Sequence, residues 1–327
     1  MKIAVLGAGA WGSALAISLS SSGHDVSLWA RSPADCDHIA RTRSSRSLPD
    51  SPIPDAVRIE PDLARALAAC DLVTVATATA GLRATAAAVG AIASEPRLLW
   101  ACKGFEQGTR KLPHEIVAEM LPKARMTGAL SGPSFAQEVA RGQPTAIVLA
   151  SHEADFAADT ASQLNSSRIR IYSSADLVGV ELGGAVKNVV AIAAGICDGL
   201  SLGRNARAAL ITRGLAEIVR LGAVMGGQPE TFMGLTGLGD LVLTCTGDLS
   251  RNREVGVRLA KGQALDDVLR DVGHVAEGVQ SAASVRDLAR EKGVEMPITE
   301  AVFSVLFEGR APADAVRQLL ARDPKPE

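Results

Sequence analysis

A lysine and an aspartate in otherwise apolar surroundings are the residues best suited to moving a proton. Lys187 lies within the stretch GGAVKNV, and Asp240 follows a glycine-rich turn. Burial would lower the pKa of a lysine, as would a second cation such as Lys103, so Lys187 could exchange a proton near neutral pH. Asp240 could orient that lysine or accept a hydrogen bond from a substrate hydroxyl. Two plainer interpretations stay open: Lys187 could pair with Glu181 or reach solvent, and Asp240 could cap a helix.

The histidines offer no comparable candidate for a general acid. None of the five lies in an apolar setting beside a carboxylate motif, so each is interpreted as a surface or turn residue. They are His24, His38, His114, His152 and His274. A reaction that needs a positioned acid would therefore depend on Lys187.

A serine, an arginine and an asparagine in succession could form a compact phosphate site. Ser250, Arg251 and Asn252 form a sequence typical of the start of a helix. Free backbone N–H groups, a hydroxyl and a guanidinium together suit an anion. The alternative is a simple serine cap followed by a solvated arginine.

Three glycines near the start of the chain could hold a larger anion. Gly7, Gly9 and Gly12 lie in AVLGAGAWGSALA, after a strand-like apolar run and before a helix-like run of small residues. In this context the first glycine permits a tight turn, the second lets a pyrophosphate approach the backbone, and the third lets helix and strand pack closely. The spacing predicts a dinucleotide site at the N-terminus of the helix, although a tight turn without a ligand stays possible.

The end of the next predicted strand bears on which dinucleotide is bound. Folds that prefer NAD usually place an acidic residue there for the ribose hydroxyls, whereas those that prefer NADP offer an arginine. This chain has Arg31 and Ser32 at that point, and no carboxylate from Leu28 to Ser32. We predict that NADP is preferred and NAD remains usable, unless Arg31 is only a solvated residue at a strand end.

Alternating strands and helices in the first half are typical of a doubly wound parallel sheet. The predicted strands are Lys2–Leu6, Asp25–Ala30, Leu72–Ala76, Leu98–Cys102, Met126–Leu130 and Ala146–Ala150. The predicted later helices are Asp176–Cys197, Ala206–Met225, Arg251–Lys261, Val279–Lys292, Glu300–Phe307 and Pro312–Ala321, with Thr299 as a cap. The fold class is therefore α/β, with a dinucleotide-binding Rossmann domain over residues 1–173 and an all-helical substrate-binding and catalytic domain over residues 174–327.

The composition argues against several other classes of protein. The 327 residues carry a net charge of −2 and only 3% aromatic residues, so we expect no nucleic-acid partner. Five scattered cysteines without a C-x-x-C pair predict a reducing, cytoplasmic compartment and no metal site. The most apolar stretch, residues 177–196, contains two charged residues, so we expect a buried helix rather than a membrane span.

Longer motifs give the chain a specific resemblance. They are WACKGF from Trp100, SGPSFAQEVARGQPTA from Ser131, ELGGAVKNVVAIAAGICDGL from Glu181, NARAALITRGLAE from Asn205, GLGDLVLTCTGDLSRNREVG from Gly237, AEG from Ala276 and MPITE from Met296. In this order they resemble bacterial NAD(P)-dependent sn-glycerol-3-phosphate dehydrogenases over essentially the whole chain. The resemblance implies reversible reduction of dihydroxyacetone phosphate to sn-glycerol 3-phosphate, which feeds phospholipid synthesis.

The resemblance also implies roles for individual residues. Lys187 matches the family's general acid/base, and we count Lys103 and Asp240 as catalytic with it. The implied cofactor contacts are Ala10, Trp11, Arg31, Lys103, Ala136, Arg251, Val275 and Glu277. The implied substrate contacts are Lys103, Gly132, Ser134, Lys187, Asp240, Ser250, Arg251 and Asn252.

Three departures from the family pattern lie in the cofactor half. The chain has Thr77 and Ala78 where the family usually has Pro-Ser, Ser47 where it often has an aromatic residue, and Ala10 in place of a frequent serine. These departures bear on the affinity for the nucleotide and leave the expected reaction unchanged.

Two other functions stay open on the sequence. A 3-hydroxyacid dehydrogenase of similar architecture would need a carboxylate site in place of Ser250 to Asn252. A nucleotide-binding sensor without catalysis would be expected to lack Lys187, Asp240 or Arg251, and all three are present. We expect a small-molecule substrate, and the helical domain could mediate a homodimer.

Overall fold

The computed structural model describes residues 1–272 and 276–322 and divides the chain into two compact units. The first unit comprises Met1–Glu106 and Lys111–Leu177. The second comprises Gln107–Arg110 and the described residues from Val178 onward. The first unit contains a sheet with its helices, and the second is built of helices.

The sheet of the first unit has eight strands and one reversal of direction. The strands are β1 Lys2–Leu6, β2 Asp25–Trp29, β3 Arg58–Glu60, β4 Leu72–Val75, β5 Leu98–Trp100, β6 Thr127–Ser131, β7 Thr145–Ala150 and β8 Ile169–Ser174. Their order across the sheet is β3-β2-β1-β4-β5-β6-β7-β8. The neighbours are parallel except for β6 and β7, which run antiparallel.

The fold class predicted from the sequence is confirmed, but a wholly parallel sheet is wrong at the β6–β7 pair. A parallel connection must return the chain to the opposite end of the sheet, usually through a helix that spans it. The segment between Ser131 and Thr145 carries only the five-residue helix Ala136–Ala140. So short a helix does not return the chain to the opposite end of the sheet.

Seven helices accompany the sheet. They are α1 Ala10–Ser21, α2 Pro33–Thr42, α3 Leu63–Leu67, α4 Thr79–Gly90, α5 Pro113–Met120, α6 Ala136–Ala140 and α7 Ala154–Leu164. The central strands are apolar along their whole length: every residue of β4 and β5 is buried, as is typical of strands with both faces covered. The core of this unit therefore lies on both sides of the sheet.

Two strands carry too little apolar sequence to have been predicted. The strand β3 has only three residues, of which two are charged. The strand β8 alternates between buried residues, such as Ile169 and Ile171, and exposed ones, such as Arg170 and Tyr172. Both lie at the edges of the sheet, where one covered face is enough to hold a strand.

The second unit consists of helices around one apolar helix. They are α8 Leu177–Gly199, α9 Arg204–Val224, α10 Pro229–Met233, a π-helical segment Leu235–Gly239, α11 Asp240–Thr246, α12 Arg251–Ala260, α13 Leu265–Val272, α14 Glu277–Glu291, α15 Pro297–Phe307 and α16 Pro312–Leu320. Among the described residues, α8 alone is long and apolar enough to cross a bilayer, and 94% of its most apolar window is buried inside the protein. It is the core helix of this unit.

The cap of α15 differs from the sequence prediction. The helix begins at Pro297, so Thr299 lies in its first turn rather than before it. The carboxylate of Glu217, from α9, accepts hydrogen bonds from the backbone N–H groups of Ile298 (2.6 Å) and Thr299 (3.2 Å) and from the Thr299 hydroxyl (3.1 Å). The N-terminus of α15 is therefore capped by a buried glutamate that is distant in sequence, and not by a neighbouring side chain.

The burial of Glu217 predicts a pH-dependent stability. Desolvation raises the pKa of its carboxyl from 4.5 to about 7, although the three hydrogen bonds oppose that rise. Because the folded-state pKa is the higher one, the stabilisation is complete below about pH 4.5 and is lost as the pH rises through about 7. The melting temperature of the parent protein should therefore fall between pH 5 and 8 by more than that of Glu217→Gln. Equal pH dependence in the two proteins would contradict this assignment.

Candidate active site

The glycine turn after β1 is built around two glycines that no other residue can replace and one that borders open space. Gly7 has a φ of +121°, and a Cβ there would lie 2.8 Å from the carbonyl oxygen of Ala76. A Cβ on Gly12 would collide with the carbonyl oxygen of Gly7. A Cβ on Gly9 would meet nothing within 4 Å, and Gly9 precedes α1 without any side-chain cap. The helix therefore begins without a side-chain cap and beside open space, as a pyrophosphate site requires.

A cleft of about 390 Å³ opens beside this turn in the first unit. Its lining residues come from the segments that follow β1, β2 and β4, from α2 and α4, and from the chain between α2 and β3. Those used below are Gly7, Gly9, Trp29, Arg31, Ser32, Asp35, Arg46, Ser47, Thr77 and Ala78. The open space at Gly9 and the cations on the wall fit a dinucleotide that carries phosphate groups.

Arg31 and Ser32 differ in whether their polar groups already have hydrogen-bond partners within the protein. Arg31 is exposed on the cleft wall and makes no hydrogen bond or ion pair among the described residues. The hydroxyl oxygen of Ser32 accepts a hydrogen bond from the N–H of Asp35 at 3.3 Å and so caps α2. The O–H of Ser32 stays available to donate to a phosphate oxygen.

Of the residues that depart from the family pattern, Ser47, Thr77 and Ala78 border the same cleft, and Ala10 does not. Ser47 is exposed there, and Ala78 precedes α4 without a side-chain cap. The hydroxyl oxygen of Thr77 is buried and has no hydrogen-bond partner among the described residues. The cleft wall therefore carries a polar atom for which a ligand could supply the partner.

Lys103, Gly132 and Ser134 form a second group in the first unit. The Lys103 ammonium donates to the carbonyl oxygen of Gly132 at 3.1 Å, and the Ser134 hydroxyl donates to the same oxygen at 3.0 Å. Gly132 has a φ of +134°, and a Cβ on it would lie 3.0 Å from the Cα of Ile147. Glycine thus permits the close approach of β7 that holds this group at the end of β6.

Ala10, Trp11 and Ala136 lie at the starts of α1 and α6, two helices that contact each other. Each is the first or second residue of α1 or α6, and all three are partly buried against the apolar core of the first unit. Of the other residues implied by the family, Glu277 opens α14 in the second unit. Val275 lies outside the described residues.

In the second unit, Lys187 and Asp240 form a buried ion pair. The side chain of Lys187 is 7% exposed and that of Asp240 is 2% exposed, and the ammonium lies against the Asp240 carboxylate. The ammonium also donates to the Thr244 hydroxyl at 3.0 Å, which in turn donates to the Asp240 backbone oxygen at 2.6 Å. Lys187 therefore does not reach solvent, and Asp240 lies in the first turn of α11 with its carboxylate on the lysine rather than at the cap position.

The backbone packing of two helices explains this pair. A Cβ on Gly183 of α8 would lie 2.6 Å from the carbonyl oxygen of Thr236 in the π-helical segment, so glycine permits close contact there. Lys187 lies four residues beyond Gly183, and residues four apart share one helix face. Asp240 lies four residues beyond Thr236, where α11 continues from the π-helical segment. Glu181 lies six residues before Lys187, on a different face.

The N-terminus of α12 is held on both sides of Arg251. The Ser250 hydroxyl oxygen accepts a hydrogen bond from the N–H of Arg253 at 3.2 Å, which confirms the predicted cap. Asn252 is buried: its amide donates to the Asn188 side-chain oxygen and accepts from the N–H of Gly278, both at 3.0 Å. Arg251 itself is half-buried and makes no hydrogen bond or ion pair among the described residues. It is therefore better placed than Asn252 to bind an anion.

Sequence reasoning overlooked Thr244 and Asn188. Thr244 follows Asp240 by one helical turn, a spacing that would have placed both on one face. Asn188 adjoins Lys187 directly, but its contact with Asn252 spans 64 residues of sequence, and no local pattern announces it.

Within the described residues, neither a reactive thiol nor a metal cluster lies at this ion pair. Cys245 lies beside this ion pair, but burial raises its pKa to about 12, so it remains a thiol. Among residues 1–272 and 276–322, no group of three or more His, Cys, Asp or Glu side chains could hold a metal ion. The buried Lys187 ammonium is thus the proton donor on which the proposed chemistry depends.

Comparison with known protein families finds a match for the N-terminal part of the chain and another for the C-terminal part. The model of the NAD-dependent glycerol-3-phosphate dehydrogenase N-terminus matches residues 2–157, and that of the C-terminus matches residues 176–317. The chain belongs to the NAD-dependent glycerol-3-phosphate dehydrogenase family. The resemblance found in the sequence is therefore confirmed.

Individual relatives in this family are similar over their full length. The chain is 57% identical to a glycerol-3-phosphate dehydrogenase, NAD(P)⁺, of Thiobacillus denitrificans and 55% identical to one of Dechloromonas aromatica, over 100% of this chain and at least 99% of each relative. A crystal structure of glycerol-3-phosphate dehydrogenase from Coxiella burnetii superposes with a TM-score of 0.94 at 41% identity, covering 98% of this chain and 99% of that one.

Proposed function

We propose that this chain is an oxidoreductase that interconverts dihydroxyacetone phosphate and sn-glycerol 3-phosphate with NADPH or NADH. The observation that carries the proposal is the buried Lys187–Asp240 pair in a chain whose first unit holds a glycine-lined cleft. Family membership and the names of the relatives support the same activity.

The cleft in the first unit is proposed to bind the dinucleotide, which supplies the hydride when bound. The N–H groups at the start of α1 bind its pyrophosphate, since no side chain caps them and the space beside Gly9 is open. Arg31 and Ser32 lie at the end of β2, where the ribose of a dinucleotide is usually held. Ala10, Trp11, Lys103, Ala136, Arg251, Val275 and Glu277 complete the proposed cofactor contacts.

Lys187 is proposed to exchange the proton. When a hydride reaches the carbonyl carbon of a ketone, negative charge develops on the carbonyl oxygen, and the Lys187 ammonium donates a proton to it. The Asp240 carboxylate stabilises the charged ammonium, and the Thr244 hydroxyl fixes its direction. In the reverse direction the neutral amine accepts the proton of the alcohol.

The substrate phosphate is proposed to bind at the start of α12. Arg251 contributes a charge with no partner among the described residues, and the helix contributes its N-terminal N–H groups. Lys103, Gly132, Ser134, Ser250 and Asn252 are the further substrate contacts that we propose. The division of labour is then cofactor binding by residues 1–173 and substrate binding and catalysis by residues 174–327.

The stereochemistry of the reverse reaction tests this function. We expect reduction of NADP⁺ with sn-glycerol 3-phosphate, and little or none with sn-glycerol 1-phosphate or with glycerol. The enantiomer controls for general oxidation of polyols, and glycerol controls for the phosphate. Equal rates with both enantiomers would count against a site that holds phosphate and reacting carbon in one fixed relation.

Arg31 is expected to set the preference between the two dinucleotides. Its guanidinium offers a planar fork of donors to a 2′-phosphate, so kcat/KM should be higher with NADPH than with NADH. Arg31→Asp should reverse that preference, because a carboxylate repels the phosphate and accepts from ribose hydroxyls. The check is kcat/KM for both cofactors in both proteins. A parent enzyme that prefers NADH, or an unchanged ratio, would leave Arg31 as a solvated residue.

The wider setting of the activity is also proposed. A glycerol phosphate product suits a supply role in phospholipid synthesis, and the scattered free cysteines suit the cytoplasm. We further propose a homodimer formed by the helical unit. Light scattering on the purified protein distinguishes a dimer from a monomer.

A further inference from the structure

The cleft beside the glycine turn contains a carboxylate that the motif at the end of β2 does not reveal. Asp35 lies in the first turn of α2 and lines the same cleft as Arg31. Its backbone N–H donates to the Ser32 hydroxyl oxygen, which places Asp35 one helical turn beyond Ser32. A carboxylate at this place would repel a 2′-phosphate, as an acidic residue at the strand end does.

A second arginine neutralises this carboxylate. Arg46 Nη1 lies 2.9 Å from Asp35 Oδ1, and both side chains border the cleft. The loop that carries Arg46 is anchored, because the buried Ser45 hydroxyl donates to the carbonyl oxygen of Ala8 in the glycine turn at 2.8 Å. Arg46 is therefore held over the cleft rather than left on a free loop.

We propose that the Asp35–Arg46 pair is a second determinant of dinucleotide choice in this chain: Asp35 disfavours a 2′-phosphate, and Arg46 removes that effect by neutralising it. The inference rests on the proposed cofactor site. It gives the cleft wall formed by Arg31, Asp35 and Arg46 a single net positive charge, so that Arg31 acts on the phosphate unopposed.

The proposal predicts different effects on the binding of a 2′-phosphate when Asp35 and Arg46 are replaced separately. Without Arg46, the carboxylate of Asp35 cancels the charge of Arg31. One unit charge about 4 Å from a phosphate in water changes its affinity by roughly five-fold. Arg46→Gln should therefore weaken binding of a 2′-phosphate by about five-fold, and Asp35→Asn should not weaken it. In the double variant Asp35→Asn with Arg46→Gln, the affinity should return to within about two-fold of the parent.

Fragments of the cofactor separate this effect from turnover. Adenosine 2′,5′-bisphosphate and adenosine 5′-monophosphate differ by the 2′-phosphate alone, and calorimetry measures the affinity of each for the full chain. Arg46→Gln should weaken the bisphosphate and leave the monophosphate unchanged. Arg41→Gln serves as the matched control. Arg41 is an exposed arginine on α2, the helix that carries Asp35, but it does not line the cleft.

The possible results distinguish failure of the Asp35–Arg46 proposal from failure of the proposed cofactor site. An equal effect of Arg46→Gln on both fragments, no effect on either, or a double variant as weak as Arg46→Gln would overturn the proposal. If neither fragment binds the parent protein, the proposed cofactor site itself fails. Binding of both fragments with no selective effect of Arg46 rejects only the present inference.

Discussion

Lys187→Met should lower kcat by at least about 10²-fold, the usual scale of a lost general acid. Methionine keeps the length of the side chain but has no proton to donate to the developing oxyanion. The change also leaves Asp240 as a buried carboxylate without its cation, so the thermal stability should fall as well. Steady-state rates of NADPH oxidation with dihydroxyacetone phosphate, together with the affinity for NADPH, measure the effect.

A control variant and a variant of the partner residue make the result specific to the Lys187–Asp240 pair. Lys292→Met removes the same charge at an exposed position in the second unit and should leave kcat unchanged. Asp240→Asn keeps the size of the partner but withdraws its charge, so it should also slow the reaction. Near-normal turnover of Lys187→Met with intact cofactor affinity would show that another group carries the proton.

Arg251→Ala should weaken binding of the substrate by about 1.5–3 kcal/mol, the scale of a hydrogen bond to a charged group and roughly ten- to 150-fold in affinity. The reason is that Arg251 is half-buried at a helix start yet has no partner of its own among the described residues. The KM for dihydroxyacetone phosphate, and the Kd of sn-glycerol 3-phosphate by calorimetry, measure the loss. The affinity for NADPH should fall too if Arg251 also contacts the cofactor.

The matched control for Arg251 is Arg213→Ala, which removes an exposed arginine from α9. It should change neither KM nor the melting temperature appreciably. If Arg251→Ala binds dihydroxyacetone phosphate as tightly as the parent does, the phosphate lies elsewhere. A lower melting temperature without a change in KM would likewise contradict the role proposed for Arg251.

The strands and helices with strong local signals were predictable from the sequence. The strand β1 matches its predicted bounds, and α12 begins at Arg251 behind the predicted Ser250 cap. The signals there are an apolar run beside a glycine turn and a capping residue beside an amphipathic run, and both act within a few residues. The reversal between β6 and β7 depends on how far a short connection can reach, which the strand sequences themselves do not encode.

The candidate site was predictable in its charged residues and not in the contacts between them. Lys187 is conspicuous because charge is rare in a helix as apolar as α8. Its partner could have been Glu181 or Asp240 on the sequence alone, and the close contact at Gly183 decides for Asp240. Such contacts depend on how two helix backbones pack, and residues distant in sequence leave no local pattern for them.

Glu217 and Asp35 illustrate the same limit. Glu217 reaches the start of α15 across 81 residues of sequence, so the nearby Thr299 was wrongly expected to provide the cap. Asp35 lies four residues beyond Arg31, outside the window in which dinucleotide preference is usually judged. Only the fold shows that its side chain lines the cleft.

The oxidation of NADPH by dihydroxyacetone phosphate tests the central claim most directly. The purified chain should consume NADPH with dihydroxyacetone phosphate and form sn-glycerol 3-phosphate in equal amount. Acetoacetate, a ketone with a carboxylate in place of the phosphate, should give little or no reaction, and unphosphorylated dihydroxyacetone should react far more slowly. A reaction with acetoacetate that exceeds the reaction with dihydroxyacetone phosphate, or no consumption of NADPH with either ketone, would contradict the proposed function.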